Sequence, residues 1–487
     1  MRSEGFTAPG EPRRHDSAAW RGLSLFQICL CLVATAIAVI AFESSADRFL
    51  NGLWVIGCGL FAAATAFRVL CLAISRRPTE SAAPPASLPR YTILCALHDE
   101  AAIVSQLIRR LSRIDYPADR LQGFLVLEEH DFATRQAALA TTLPSWLSVF
   151  VVPPGFPRTK PRALNCALPS ATGDLLTIYD AEDEPDPGQL RDAAARFAAD
   201  ASGRLACLQA PLRIRPARAA SNRSPFIDAQ FAAEYAALFE TVLPGLARLG
   251  LPFPLGGTSN HFRVDVLRRL GGWDAFNVTE DADLGFRIWR HGYRLGVIAA
   301  PTWETPPGPV GDWLPQRTRW LKGYMQTFGV HTRRPWRLGW RGVAALMLTV
   351  GAGLASAALH APSVLWIVSA LLFFVVSGVW PAVPTLGLGV LMLGIGAAWA
   401  SCAMGARRAG IRYSLLDMLL APAYWSMLSL AFCHAVWRLI VQPFAWDKTA
   451  HRADTPDGRP DPLETMLDAK ASDRLSAAHV AASELVA

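Results

Sequence analysis

LLTIYDAEDEPDP (residues 175–187) decides the fold. A short β-prone apolar run ends in Asp180, Glu182 and Asp183, with prolines just beyond. Such a run reads as a buried strand whose carboxyl end opens into a loop. Three similar runs precede it. YTILCAL (91–97) ends at His98-Asp99-Glu100, GFLVLEEHD (123–131) carries Glu128, Glu129 and Asp131, and WLSVFVV (146–152) is the third. Helical patterns follow at about 101–113 and 187–200. Strands alternating with helices predict an α/β domain with a mostly parallel sheet, which binds ligands at the carboxyl ends of its strands. The acids stand at those ends.

Outward from this centre the composition changes. Charge is sparse in residues 22–75 and 342–441. LSLFQICLCLVATAIAVIAF (23–42) is long enough to span a bilayer, and a second apolar run covers about 52–74. A signal peptide is the alternative for the first, but its apolar core would be shorter and a small-residue cleavage site would follow. Arginines before the first run and Arg76-Arg77 after the second predict that both ends, and so the central domain, are cytoplasmic. Residues 1–21 read as a cytoplasmic tail and 78–90 as a Pro/Ala/Ser linker. RRPWRLGWR (333–341) reads as an interfacial segment. Four further spans are expected at about 342–359, 363–380, 385–404 and 415–441, then a tail over 442–487. This count puts Arg407, Arg408 and Arg412 outside, against the positive-inside trend.

The net charge of +7 lies largely beside apolar runs, which suits anionic headgroups better than nucleic acid. The nine cysteines include no C-x-x-C pair, so no zinc site or disulfide framework is expected.

Several motifs carry chemistry. Asp180 and Glu182 are two apart, so on an extended chain both carboxylates can reach one divalent cation, with Asp183 as a further ligand. A solvated turn is the plainer reading. The acids at 128–131 suit a nucleobase or ribose, or simply an exposed loop. Lys160 and Arg162 can neutralise a diphosphate or sit in a basic loop. Thr279-Glu280-Asp281 opens a helical pattern, where the acids serve either the helix dipole or as a base. Gln316, Arg319 and Trp320 share a helix face, suited to a phosphate and a sugar ring, or to a core Trp beside a surface Arg. PLGGTSN (254–260) allows close backbone approach.

The order of these motifs, TED followed by Q-x-x-R-W (316–320), resembles the family 2 glycosyltransferases. The likeness is to the membrane-embedded branch with cellulose and hyaluronan synthases, and to a bacterial exopolysaccharide subgroup ending in PFxWxKTxH (443–451). It covers about residues 88–330 and the flanking spans. It implies a GT-A-type (Rossmann-like) cytoplasmic domain over 88–332, with about two transmembrane helices before and about four after. The protein would sit in the bacterial inner membrane. It further implies that Glu100, Glu129 or Asp131 and Lys160 bind a nucleotide-sugar, most simply a UDP-sugar. Asp180 and Glu182, with Asp183 as the alternative second ligand, would match the family's D-x-D for Mg2+ or Mn2+, with Glu replacing the second Asp. Asp281, beside Glu280, would be the catalytic base, and Gln316, Arg319 and Trp320 would bind acceptor and diphosphate. The expected reaction is processive exopolysaccharide synthesis with export, for which an export partner protein is an option; single transfer to a lipid-linked acceptor is the rival, and a non-catalytic export or receptor component is the reading from another class. No nucleic-acid partner is expected.

Overall fold

The computed structural model describes residues 16–20, 22–76, 85, 87–215, 224–379 and 385–445. The expected tail beyond 445, the Trp446–His451 part of the last motif and most of the linker lie outside the described residues.

Four strands, β1 (Tyr91–Leu97), β2 (Leu121–Glu128), β3 (Leu147–Val152) and β4 (Leu175–Ile178), pair in parallel as β3-β2-β1-β4. Tyr91, Ile93, Leu94 and Cys95 are fully buried, as a strand covered on both faces requires. β5 (Glu184–Pro185), β6 (Leu205–Gln209), β7 (Leu212–Ile214), β8 (Asn260–Arg263), β9 (Arg294–Val297) and β10 (Thr302–Glu304) follow. β8 joins β4 and β6 antiparallel, β9 pairs with β6 in parallel, and β5-β10-β7 forms a small second sheet. The chain winds from β1 out to β3 and then crosses to β4 on β1's other side. Such a reversal leaves a crevice at the strands' carboxyl ends. Leu94 stands opposite Ile178, so Asp99-Glu100 and Asp180 emerge beside each other. The GT-A-like arrangement expected from the sequence is present.

Behind the crevice, Glu184 from the acidic run is only 1% exposed. It pairs with Arg215, with Arg113 at 3.0 Å and with Arg110 at 3.4 Å. Breaking a buried ion pair from one side costs about 3–5 kcal/mol. Glu184→Gln is therefore expected to lower the thermal unfolding midpoint in detergent clearly; an unchanged midpoint would show the cluster to be dispensable.

Among the described residues, five helices are long and apolar enough to cross a membrane: Leu25–Ser44, Ala46–Ile74, Gly339–Ser377, Thr385–Ala409 and Leu415–Val441. Two precede the domain as expected, but three follow it rather than four. The expected break near 360 is absent, and the helix runs on through Pro362. A proline is tolerated in such a helix where neighbouring groups satisfy the disturbed backbone. Here the Ala361 N–H donates to Ser429 Oγ of the last helix at 3.0 Å.

The change in count also corrects the side of the 407–412 loop. Arg408 donates to Ser75 Oγ at 2.8 Å and to the Glu240 carbonyl at 2.6 Å, so this loop meets the α/β domain. The last helix lies along Val310–Thr332. Trp313 Nε1 donates to Tyr424 at 3.2 Å, Thr318 bonds His434 at 3.0 Å, and Lys322 Nζ donates to the Ala445 carbonyl at 2.8 Å.

The interfacial reading of 333–341 suits Trp336 and Trp340, which are exposed. Arg333 differs: it is buried, donates to the Ser17 carbonyl at 2.8 Å and lies over the Trp20 ring. Residues 16–20 thus sit against the domain instead of trailing as a tail. Ser17 Oγ and the Ala18 N–H donate to the buried Asp274 at 2.8 and 2.7 Å.

Candidate active site

A cavity of about 760 Å³ occupies the crevice. Glu100 enters it after β1, Asp180 and Glu182 after β4, and Lys160 from the start of the Lys160–Ala167 helix. Glu280 and Asp281 enter from the first turn of Glu280–Arg290, and Gln316, Arg319 and Trp320 from one face of Val310–Thr332. Residues separated by more than 200 positions therefore meet in one space.

Three expected residues do not line it. Glu129 is exposed, because it lies one residue past the end of β2 while Glu128 is still buried within it. Asp131 is buried and caps the Phe132–Leu139 helix, accepting the Thr134 N–H at 3.1 Å. It also accepts the Asp99 N–H at 2.6 Å, so it shapes the loop that carries Glu100. Asp183 is fully buried, bonded to Thr258 and accepting the Asp180 N–H at 2.7 Å. Of the acidic run after β4, the carboxylates that reach the cavity are thus Asp180 and Glu182. Arg162 does not line the cavity either; it pairs with Glu128 at 3.6 Å.

Lys160 Nζ pairs with Asp180 and donates to the Gly257 carbonyl at 2.7 Å. Glu304 joins Asp180 and Glu182 in the lining. Burial, with the charges of Asp183, Glu182 and Asp180, raises the Glu304 carboxyl well above its ordinary range. Burial and its acidic neighbours do the same to Asp183. Such crowding suits a divalent cation, and hard oxygen donors suit Mg2+ or Mn2+. The residues present fit the implied cation, with Asp180 and Glu182 to hold it. A second group, His98, Asp99 and Asp131, brings one ligand atom each within 4.8 Å of the others.

Burial pushes the Asp281 carboxyl up to about 6, while the Ala282 N–H, Lys160 and Arg319 pull it down. Glu280 is pushed higher still, by burial and then by the charge of Asp281. The two carboxyls thus share a buried turn in which each is held above its ordinary range.

The Val310–Thr332 helix is keyed to this pair. A Cβ on Gly323 would lie 2.3 Å from Thr279 Oγ1 and 2.7 Å from Thr279 Cβ. Gly323→Ala must push the helix and the TED turn apart. A misplacement of about 1 Å can cost ~100-fold in rate. Turnover is expected to drop by that order with the fold retained by circular dichroism; wild-type turnover would show that the contact is slack.

Arg317, inside the Q-x-x-R-W, faces away from the cavity. It forms a two-bond pair with Glu234 at 3.0 and 2.6 Å and lies over the Trp320 ring at 4.7 Å. Trp320 is therefore braced from behind while it lines the cavity.

Sequence reasoning missed Tyr235, Phe239, Glu304 and Tyr324, and it did not draw residues 441–445 into the cavity lining. The last of these had a signal in the PF motif. Gln326 accepts the Val278 N–H at 3.0 Å and donates to the Pro443 carbonyl at 3.0 Å, which ties this segment to the TED turn.

Residues 175–446 match the model of Glycosyl transferase family group 2. A beta-monoglucosyldiacylglycerol synthase of Synechocystis is 26% identical over 289 residues, 56% of this chain and 58% of that protein. A cellulose synthase catalytic subunit of Dictyostelium discoideum is 29% identical over 205 residues, 39% of this chain and 18% of that one. The chain spans little more than half the length of the first curated relatives it matches. A mannosyltransferase from Pyrobaculum calidifontis, solved with GDP-Man and Mn2+, superposes with a TM-score of 0.50 at 18% identity, covering 80% of this chain and 98% of that one. That likeness speaks for the fold.

Proposed function

This chain belongs to glycosyl transferase family group 2, and on that footing we propose that it moves a sugar from a nucleotide donor, a UDP-sugar first, to an acceptor hydroxyl at a membrane. The observation that carries the reading is the convergence of the TED pair, Lys160 with Asp180, and the Gln316–Trp320 face on one cavity.

The reaction is a single displacement. Asp281 takes the acceptor proton as the acceptor oxygen bonds to the anomeric carbon. The bond from that carbon to the diphosphate breaks, and the diphosphate leaves with the electron pair. Lys160 and Arg319 receive the developing charge. Glu100 holds the nucleoside side, and Trp320 offers its ring to a sugar. A cation at Asp180 and Glu182 would add charge neutralisation at the leaving group.

Arg76 and Arg408 gather on the domain's side of the apolar helices, which supports a cytoplasmic catalytic domain in a bacterial inner membrane. The likeness to polymer synthases supports the exopolysaccharide branch; the glucosyl-lipid relative supports single transfer.

Membranes carrying the full chain, given radiolabelled UDP-glucose, UDP-N-acetylglucosamine or GDP-mannose with and without Mn2+ or Mg2+, test the proposal. Cation-dependent incorporation from a UDP-sugar is expected. No incorporation from any donor by folded protein would contradict it.

A further inference from the structure

We infer that Leu415–Val441 does not cross the bilayer but lies in the plane of its cytoplasmic leaflet, with one face in the acyl chains and the other against the Val310–Thr332 helix. The inference uses the membrane placement proposed above and does not depend on the reaction.

The other four long apolar helices each have an end fixed at the catalytic domain. Leu25–Ser44 starts there, where Gln27 Nε2 donates to the Gly329 carbonyl at 3.0 Å. Ala46–Ile74 ends there: a Cβ on Gly245 would lie 2.6 Å from the Cys71 carbonyl. Gly339–Ser377 starts there, with Trp289 Nε1 donating to the Leu338 carbonyl at 2.9 Å. Thr385–Ala409 starts away from the domain, where Gly387 meets the Trp54 ring. Trp54 stands 17 positions before Cys71 in its helix, about 25 Å from the domain end. Thr385–Ala409 then ends at the domain, where Gly405 meets the Ala236 backbone and Arg408 the Glu240 carbonyl. Two crossings before the domain and two after it bring the chain back to the domain's side by residue 409.

The fifth helix is fixed to the domain at both ends. Gln230 Nε2, from the helix Pro225–Ala237, donates to the Asp417 carbonyl at 2.6 Å. Tyr424 OH accepts from Arg317 at 2.8 Å and donates to Glu234 at 3.0 Å. Thr318 reaches His434, and just past the helix Lys322 and Gln326 hold the Ala445 and Pro443 carbonyls. The 27 residues make a rod of about 40 Å. A rod that crossed ~30 Å of hydrocarbon would carry Pro443 and Ala445 to the far side, away from the cavity they line.

The outward face of this helix is apolar. Leu416, Leu419, Leu430, Trp437 and Ile440 recur at helical spacing and are between 54% and 73% exposed. No Asp, Glu, Lys or Arg occurs from Met418 to Trp437. A protein partner's footprint would carry a polar rim. This uniform face stands beside the membrane helix Gly339–Ser377, joined to it through Ser429 and Ala361, and so suits acyl chains. The inward face is covered by protein, with Ala421, Tyr424, Ala431 and Ala435 fully buried. Lipid on one side and protein on the other leave both faces apolar, so the helix has the composition of a span without crossing. The leaflet thereby supports the helix that carries Gln316, Arg319 and Trp320, and Tyr424 passes that support to Arg317, which lies over the Trp320 ring.

Reporters on the full chain test the placement. GFP, which fluoresces only when it folds in the cytoplasm, and alkaline phosphatase, which needs an oxidising compartment, are each fused after Ala487 and expressed in bacterial cells. The sequence after 445 holds no further apolar run, so the reporter marks the side on which Leu415–Val441 ends. GFP joined before Met1 marks the side on which the chain enters. Fluorescence at both termini and an inactive C-terminal phosphatase are expected. An active C-terminal phosphatase together with a fluorescent N-terminal GFP would mean that the helix crosses, and would overturn the inference. This readout needs no turnover, so failure of the transferase reading would leave it intact. In phosphatidylcholine vesicles, Leu430→Asp should lower kcat at least about tenfold by displacing the supported helix, with UDP affinity in calorimetry unchanged. Wild-type kcat in this variant would overturn the acyl-chain contact.

Discussion

Asp281→Asn is expected to lower the transfer rate by about 10²–10⁴, the usual contribution of a positioned base, while UDP binding stays near wild type. The substitution keeps shape and removes only the ability to take a proton. Among the acids in the lining, Asp281 has the strongest case as base. Burial and the charge of Asp281 raise the Glu280 carboxyl, and Asp180 is committed to Lys160. The pH dependence follows from burial. A base must be deprotonated to act, and the Asp281 carboxyl sits at about 6 rather than near 4. The kcat/KM of the wild type should therefore level off above that pH and fall as pH drops through it. The Asn variant should lose this limb along with the rate. Initial rates across pH, with UDP affinity by calorimetry, check both parts. Near-wild-type turnover in Asp281→Asn would remove it as the base.

The second large effect is expected at Asp180. Asp180→Asn takes one of two carboxylates from the implied cation position and the partner from the half-buried Lys160. Loss of a preorganised charge contact at the leaving group typically costs about 10²–10³ in turnover. The variant should also need more Mn2+ to reach its maximum rate. Asp183→Asn supplies the contrast. Its carboxylate is turned toward Thr258 and the Asp180 N–H, so this change should reduce the unfolding midpoint more than the apparent Mn2+ affinity. If Asp183→Asn shifted the Mn2+ requirement and Asp180→Asn did not, the assignment of the two acids would be reversed.

These two positions show how far the sequence could be read. Alternation of strand and helix placed the first four strands and put acids at their carboxyl ends, because burial and pleat leave a period-two or continuous apolar mark. Helix periodicity likewise placed Gln316, Arg319 and Trp320 on one face. What periodicity does not carry is which way a loop side chain turns. Glu128 and Glu129 look alike in sequence, but the strand ends between them and leaves one buried and the next exposed. Asp131 reads as a ligand until its cap to Thr134 is seen. Asp183 and Glu184 look like solvated turn acids, yet one is held by Thr258 and the other by Arg110, Arg113 and Arg215 from two distant segments. Such partners are set by the fold and leave no local mark. The break expected near 360 is absent for a related reason: the group that accepts the Ala361 N–H, Ser429, lies 68 positions on. Tyr235, Phe239 and Glu304 belong to the cavity only because β7, β10 and the helix after residue 224 fold over it.

The stereochemistry of the product tests the central claim most directly. A UDP-hexose of the α configuration, transferred in one displacement with Asp281 as base, must give a β-linked product. Proton NMR of the anomeric position in product made by the full chain reads this without reference to acceptor class. A β linkage is the expected result. An α linkage would mean two displacements or a front-side path, and would contradict the mechanism assigned to this cavity.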